Sequence, residues 1–380
     1  MSSTTLIPPT GRWPAPQWLA LFYDLAFAAG VIAISGSYAY DHTLQGVLWF
    51  ATTYGILAST WLLTGGATGG FTGEHRPVTR GIVVLTVIQM ALVMMLSLAS
   101  GDSIASSSGV FDAVLGLMLA TVLALGLLAR GSGHAVPGRS MALVAAAMVV
   151  LGLAWLPPDP IGFVLWLASL AMLGVAAAGV AVGTTVDLHR LAHRLGELTI
   201  IIVGEILVKV TLTLGDESLW SVRTWALGPL LLLLVGTWWA YFTGPVLVTS
   251  LNARSRIVWI TAHWTLHVAL LALAVGLSKL LVGSEALTDP SSATALLTGP
   301  AVVLVGSLAA LDWVTNGDRA RNLAVATGAV AVLAVVVLAV PLNPTVIGYA
   351  VALVMLTAVA LPPRPTRRSQ QFDGQLRPQR

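Results

Sequence analysis

No cysteine occurs in the 380 residues of this chain. That excludes disulfides, thiolate metal sites and redox or nucleophilic thiols, and leaves every loop to be held by packing alone. Charge is nearly as scarce: Asp, Glu, Lys and Arg make up 9% of the residues against 57% hydrophobic ones, and the mean hydropathy is +0.88. So little polar surface excludes water as the main solvent of a chain this long. The long apolar runs lack the strict polar/apolar alternation of lipid-embedded strands. Helices are therefore expected rather than a β-barrel, since a helix satisfies its backbone within the segment. No phosphate-binding glycine loop, Ser/His/Asp set or carboxylate-rich metal motif appears either.

What is present is a succession of apolar stretches, twelve of them, at about 18–39, 44–64, 80–100, 109–129, 140–156, 160–184, 196–215, 224–248, 256–282, 296–314, 320–340 and 343–361. Most are near the ~20 residues that cross a bilayer core; the fifth is short and the eighth and ninth are long. The basic residues alternate with them. Arg12, Arg76, Arg80, Arg130, Arg139, Arg190, Arg194, Arg254, Arg256, Arg319 and Arg321, with five arginines after residue 361, all fall on one side, whereas the opposite loops contain only Arg223. The positive-inside rule then places both termini in the cytoplasm of a multi-pass protein of the cell membrane. The net charge of +3 and the sequence pI of ≈ 9.5 come from these loops and the tail, so they report orientation and give no sign of a nucleic-acid partner. No cleavable leader is read in residues 1–17, so span 1 is expected to be retained.

The expected architecture is an all-α polytopic membrane helix bundle of about twelve transmembrane helices. A cytoplasmic lead (1–17) precedes a first half (18–184, spans 1–6) and a second half (185–361, spans 7–12), and a basic cytoplasmic tail (362–380) follows. Each half begins on the same side, which is compatible with two parallel six-helix repeats. An acid inside the first helix of each half, Asp24 and Glu205, is the slender sequence support for it.

Ionisable groups within such spans are costly, about 2.5–3.5 kcal/mol for a charge at the bilayer centre on insertion scales, so each is a functional candidate unless a partner explains it. Asp24 stands about two turns into span 1. Glu205 falls near the middle of span 7, with Lys209 one turn on. Glu before Lys at this spacing forms a favourable helical pair that either merely permits insertion or does chemistry. Span 9 offers His263 and His267, also four apart. Such a pair can bind a metal, but with no third ligand nearby a proton relay or hydrogen bonds between helices is the better reading. Spans 1, 7 and 9 enter from one side. Counting the helical rise puts Asp24 and His263 about 10 Å deep and Glu205 and His267 about 14 Å deep, with Gln89 of span 3 at matching height. Were these helices neighbours, the residues would form one polar layer suited to a proton or cation pathway. Asp112 and Asp312, near helix ends, are expected to be hydrated, and Trp238, Trp239 and Tyr241 to be core or interfacial belt residues.

Leu21-Phe22-Tyr23-Asp24-Leu25 with Phe27 resembles the L-F-F-D-L-V-F opening of the bacterial low temperature requirement A (LtrA) family. Arg194, Gly196, Ile200, Ile201, Gly204 and Glu205 resemble its E-R-x-G-L-F-x-I-I-x-L-G-E block, and His263 with Ala274-Val275-Gly276-Leu277 resembles its H-L-P…A-V-G-L block. The resemblance implies a prokaryotic inner-membrane protein of unsettled activity. The chain departs from the pattern at His193, where the family has an acid, at Glu197, where it has an apolar residue, and at Thr265, where it has proline. These departures are compatible with a divergent subfamily.

The leading expectation is a secondary transporter or permease, proton- or cation-coupled through Asp24, Glu205, Lys209, His263, His267 and Gln89, without a cofactor and acting on an unidentified small solute, ion or proton. The alternatives are a membrane-embedded enzyme using the histidines on a lipid-like substrate, or a channel or scaffold. The lipid bilayer is the one partner the composition requires, and an oligomer is compatible with everything above.

Overall fold

The computed structural model describes residues 16–38, 43–71, 79–99, 109–131, 136–154, 160–183, 186–213, 227–243, 250–282, 290–315, 319–339 and 343–361. Among these residues there are twelve helices and no strand: α1 Pro16–Tyr38, α2 Leu44–Ala67, α3 Arg80–Ala99, α4 Gly109–Gly131, α5 Gly138–Leu153, α6 Ile161–Ala181, α7 Leu188–Thr213, α8 Leu227–Phe242, α9 Ala253–Val282, α10 Pro290–Val314, α11 Ala320–Ala339 and α12 Pro344–Ala360. Eight are long and apolar enough to cross a membrane, and α5, α8 and α12 are shorter apolar helices. The polytopic helical bundle read from composition is thus the observed fold.

Two expected boundaries change. In the eighth apolar run, 224–248, the helix ends at Phe242 with Thr243 in a turn, residues 224–226 and 244–249 lying outside the described set. The seventh helix starts at Leu188, eight residues before the apolar run does, because Asp187 caps it. The Asp187 carboxylate accepts from the backbone N–H of His189 (2.9 Å) and of Arg190 (3.4 Å). Hydropathy ends a span at its last charge, but a capped helix continues through charged residues. Asn252 and Asn343 act similarly, accepting from Ser255 N and Thr345 N at 2.9 Å, the latter with Pro344 in the first turn.

Most helices carry apolar residues around their whole circumference, as expected when one face packs on protein and another on lipid. Leu98, Val325 and Trp313 are 85%, 68% and 69% exposed, on surfaces that the bilayer covers. Hydroxyl groups at that depth need internal acceptors, and many find them one turn back: Thr52 on Leu48 O, Ser59 on Gly55 O, Thr60 on Ile56 O. Glycines allow close approach where helices cross, Gly30 against Val93 and Gly276 against the backbone at Leu296.

In the first six helices α1 packs on α3, α2 on α6 and α4, and α3, α4, α5 and α6 each on the next. A related scheme holds in the last six, with α7 on α9, α8 on α12 and α10, and α9 to α12 in series, but the α1–α2 pairing of the first set and the α10–α12 pairing of the second have no comparable counterpart in the other. The two sets meet where α1 touches α7 and α9, and where α9 touches α2 and α6. Helices α1, α7 and α9, whose adjacency the sequence leaves open, are therefore mutual neighbours.

Candidate polar site between the helix sets

On α1 the residues Tyr23, Asp24, Phe27, Ala28 and Val31 are buried, while Phe22 and Leu25 on the other side are 60% and 50% exposed. This helical periodicity turns Asp24 inward, where it is 0% exposed. Its partner is Arg194, in the second turn of α7 and 6% exposed. The guanidinium donates from Nε to Oδ2 at 2.9 Å and from Nη2 to Oδ1, a two-pronged fit that lysine cannot make. The indole Nε1 of Trp61 on α2 donates a third bond, 2.6 Å to Oδ1.

Arg194 is held by two adjoining aromatic rings and along one edge. Its guanidinium carbon lies 5.0 Å from the Trp61 ring centroid and 4.8 Å from that of Phe71, a cation–π arrangement away from bulk water. The remaining edge meets the turn after α2. A Cβ on Gly65 would strike the Phe71 ring and crowd Nη1, and one on Gly70 would lie 2.6 Å from Nη1. Gly69 has φ 73°, where a side chain is disfavoured. Phe71 O accepts from Asp187 N at 2.7 Å, which ties this glycine-rich collar to the start of α7.

Outside the pair lies a recess of ≈ 460 Å³, whose lining includes Asp24, Gly70, His189, His193, Arg194 and Glu197. His193 Nδ1 stands 3.4 Å from Glu197 Oε1 at its rim. Inside the pair, Thr64 donates to Gln89 Oε1 at 2.8 Å, so Gln89, 0% exposed, joins the same group through α2. A void of ≈ 10 Å³, lined by Tyr23, Thr64, Thr68, Thr86 and Arg194 among others, has room for about one water molecule. Buried Arg194 Nη1 has no hydrogen-bond partner.

A second tier contains both histidines, each 0% exposed. His263 Nδ1 lies 2.8 Å from Trp259 O, and a carbonyl only accepts, so Nδ1 carries the proton and Nε2 accepts from the Tyr241 hydroxyl at 2.9 Å. Thr199 donates to Leu195 O at 2.8 Å, which leaves its oxygen to accept from His267 Nε2, also at 2.8 Å. His267 Nδ1 then accepts from the Tyr54 hydroxyl at 2.9 Å. Every group in this assignment is satisfied with both imidazoles neutral and of opposite tautomer. All four ring nitrogens are occupied by protein groups, and the ring centroids are 6.4 Å apart. A metal shared by the two would have to break these bonds.

The single layer expected from the sequence is two tiers. Residues 54, 61 and 64 share a face of α2, and Tyr54 is about 10 Å along the helix from Trp61 by the helical rise. The lower tier is Asp24, Arg194, Trp61, Thr64 and Gln89. The upper is His263, His267, Tyr54, Thr199 and Tyr241. Glu205 belongs to neither: with α7 starting at Leu188 it is about 9 Å beyond Thr199. It is half-buried, and among the described residues it has no hydrogen bond or ion pair. Lys209 follows in α7, but its side chain lies outside the described residues. Asp312, expected to be hydrated, is 3% exposed, and of the three aromatics on α8 only Tyr241 is core, Trp238 and Trp239 being 55% and 40% exposed.

From the sequence Arg194 reads as a loop residue and Tyr241 as a core or belt aromatic, while Trp61, Tyr54 and Thr199 have no assigned role. The arginine was discoverable from the Asp187 cap three residues before Arg190. The hydroxyl partners carry no signal beyond being polar at helical depth.

Fold and site together define a multi-pass helical membrane protein with a buried polar centre. The family model described as "Bacterial low temperature requirement A protein (LtrA)" matches residues 16–360, and the chain belongs to that family. No curated protein and no solved structure matches it.

Proposed function

We propose that this protein is a secondary transporter of the cytoplasmic membrane, with its arginine-rich face inward, that moves a small solute or ion coupled to protons or cations. The observation that carries this reading is where the polar contacts fall. The Asp24–Arg194 pair, the Trp61–Arg194 stacking and the Tyr54–His267 hydrogen bond each join a helix of residues 18–184 to one of residues 185–361. In transporters built from repeats, substrate and coupling ions bind at the repeat interface, and rocking of one repeat on the other gives alternating access. The related packing schemes of the two sets support reading them as repeats.

A buried ion pair stabilises a fold less than well-packed apolar residues of the same volume would, so its retention suits a switch. Protonation of Asp24, or arrival of an anion at Arg194 from the adjoining recess, would remove one partner's claim on the other and loosen the contact between the sets. Tyr54, His267, Thr199, Tyr241 and His263 supply the alternating hydroxyls and imidazoles of a relay above it.

The test is reconstitution into liposomes with a trapped pH dye, an imposed pH gradient, and added phosphate, carboxylates or amino acids as candidate solutes. Solute-dependent proton movement is expected in the native chain and its loss in Asp24→Asn and Arg194→Gln. Coupled movement at the native rate in both variants would end this assignment.

A further inference from the structure

A second recess, ≈ 480 Å³, runs between α11 and α12 and shares no residue with the one at Asp24. Its floor is made of the small buried residues Ala326 and Ala358, and Val325 and Leu353, 68% and 67% exposed, stand as its walls. Polar groups occur at its head, where the first turn of α11 contributes Arg321 and Asn322. Arg321 is exposed. The Asn322 amide nitrogen is closed off from solvent and has no hydrogen-bond partner. From residue 321 to residue 329 the groove follows α11 for about 12 Å by the helical rise. That is close to the ~15 Å of one hydrocarbon leaflet.

The bilayer supplies the occupant. Of the eight helices long enough to span it, α11 is the least buried within the protein, at 22% of its span. The groove is therefore open to lipid along its length. An acyl chain fits the apolar floor. At the head, an exposed guanidinium beside the N-terminal end of α11, where helix N–H groups also favour negative charge, calls for an anion. One molecule offers both at this depth: a phospholipid with net negative headgroup charge.

We propose that the α11–α12 groove is a binding site for an anionic phospholipid, its phosphate on Arg321 and one acyl chain over Ala326 and Ala358. The site is independent of any transport activity. It anchors the last two helices of the second set to the bilayer on the arginine-rich face.

Native mass spectrometry of the full chain released from nanodiscs of phosphatidylcholine with an equal share of phosphatidylglycerol tests it. The native protein is expected to retain phosphatidylglycerol in preference to phosphatidylcholine. Arg321→Gln should lower that preference about tenfold, the effect of losing a charge-assisted contact. Ala329→Phe, at an exposed position lining the groove, should displace both lipids while the thermal unfolding profile stays cooperative. Equal retention of the two lipids by the native chain, or unchanged retention in Ala329→Phe, overturns the proposal. So does a concentration-dependent dimer that Ala329→Phe dissociates, since the groove would then be covered by a second copy.

Discussion

Replacing Asp24 by Asn leaves Arg194 with an amide in place of its counter-ion. Both side chains are buried, at 0% and 6% exposure, and the guanidinium lies against Trp61, Phe71 and two glycines, so bulk water does not replace the lost charge. Removing one partner of such a pair costs about 3–5 kcal/mol, most of it the penalty of an uncompensated buried charge. At ~2–4 °C per kcal/mol for mid-sized proteins and less for larger ones, the melting temperature of the purified protein should fall by roughly 5–10 °C. Arg194→Gln should cost a similar amount by stranding the carboxylate. The double variant removes both charges together, so it should lose less than either single variant alone, which requires a coupling energy above about 3 kcal/mol in the cycle. The measurement is thermal unfolding of all four proteins in one detergent at fixed concentration. If each single variant melts within 1 °C of the native protein, or the double variant loses the sum of the two, the pair is not the buried element argued here.

His267→Ala should lower stability by about 2–4 kcal/mol, since it opens a cavity and strips the Tyr54 and Thr199 hydroxyls of a shared partner. Tyr54→Phe should cost less, about 1 kcal/mol, and unfolding in denaturant at matched detergent separates the two. Gly65→Ala forces a methyl against Phe71 and Arg194 and is expected to cost about 1–3 kcal/mol, whereas Gly204→Ala, with nothing within 4 Å of its Cβ, should be neutral or stabilising by up to about 1 kcal/mol; equal melting temperatures for the two would refute the collar. Because the chain has no cysteine, single cysteines report topology without background: one at Ser106 should react with an impermeant maleimide added to intact cells and one at Ser369 only after lysis, the reverse pattern overturning the orientation.

Composition and spacing made the fold legible because lipid imposes one rule on every residue: a spanning segment must be apolar and satisfy its own backbone. The same rule explains what stayed hidden. Arg194 lies two residues before an apolar run, so hydropathy assigns it to a loop. The helix is set by the Asp187 cap, and the charge is tolerated because Asp24, on a helix 170 residues away in sequence, neutralises it. Asp24 and the histidines were visible as anomalies of depth, but their partners were not. Threonine and tyrosine in an apolar helix look alike whether they bond their own backbone, as Thr60 does, or a distant imidazole, as Tyr54 does. Glu205, as deep a residue as sequence reasoning found, is half-buried and joins neither tier, because depth along one helix says nothing of which way a neighbouring helix faces.

The placement of the polar contacts argues against a purely structural role for them. Within each set of six helices the contacts are mainly apolar, between Leu, Val and Ala side chains with glycines at the crossings. An ion pair or a buried hydrogen bond adds little stability to such packing, because desolvation offsets much of what the contact returns. Yet at the seam the chain places a carboxylate, a guanidinium, two imidazoles and two tyrosine hydroxyls, most of them in bonds that cross from one helix set to the other or to α7. Contacts of this kind are directional and depend on protonation, whereas apolar contacts are neither. A seam made from them has a defined closed geometry and a chemical means of release, while leucine in the same positions would hold the sets together with no such dependence. The double variant that removes both charges isolates this point: melting closer to native than either single variant, with loss of coupled flux, is the outcome expected of the proposed transporter.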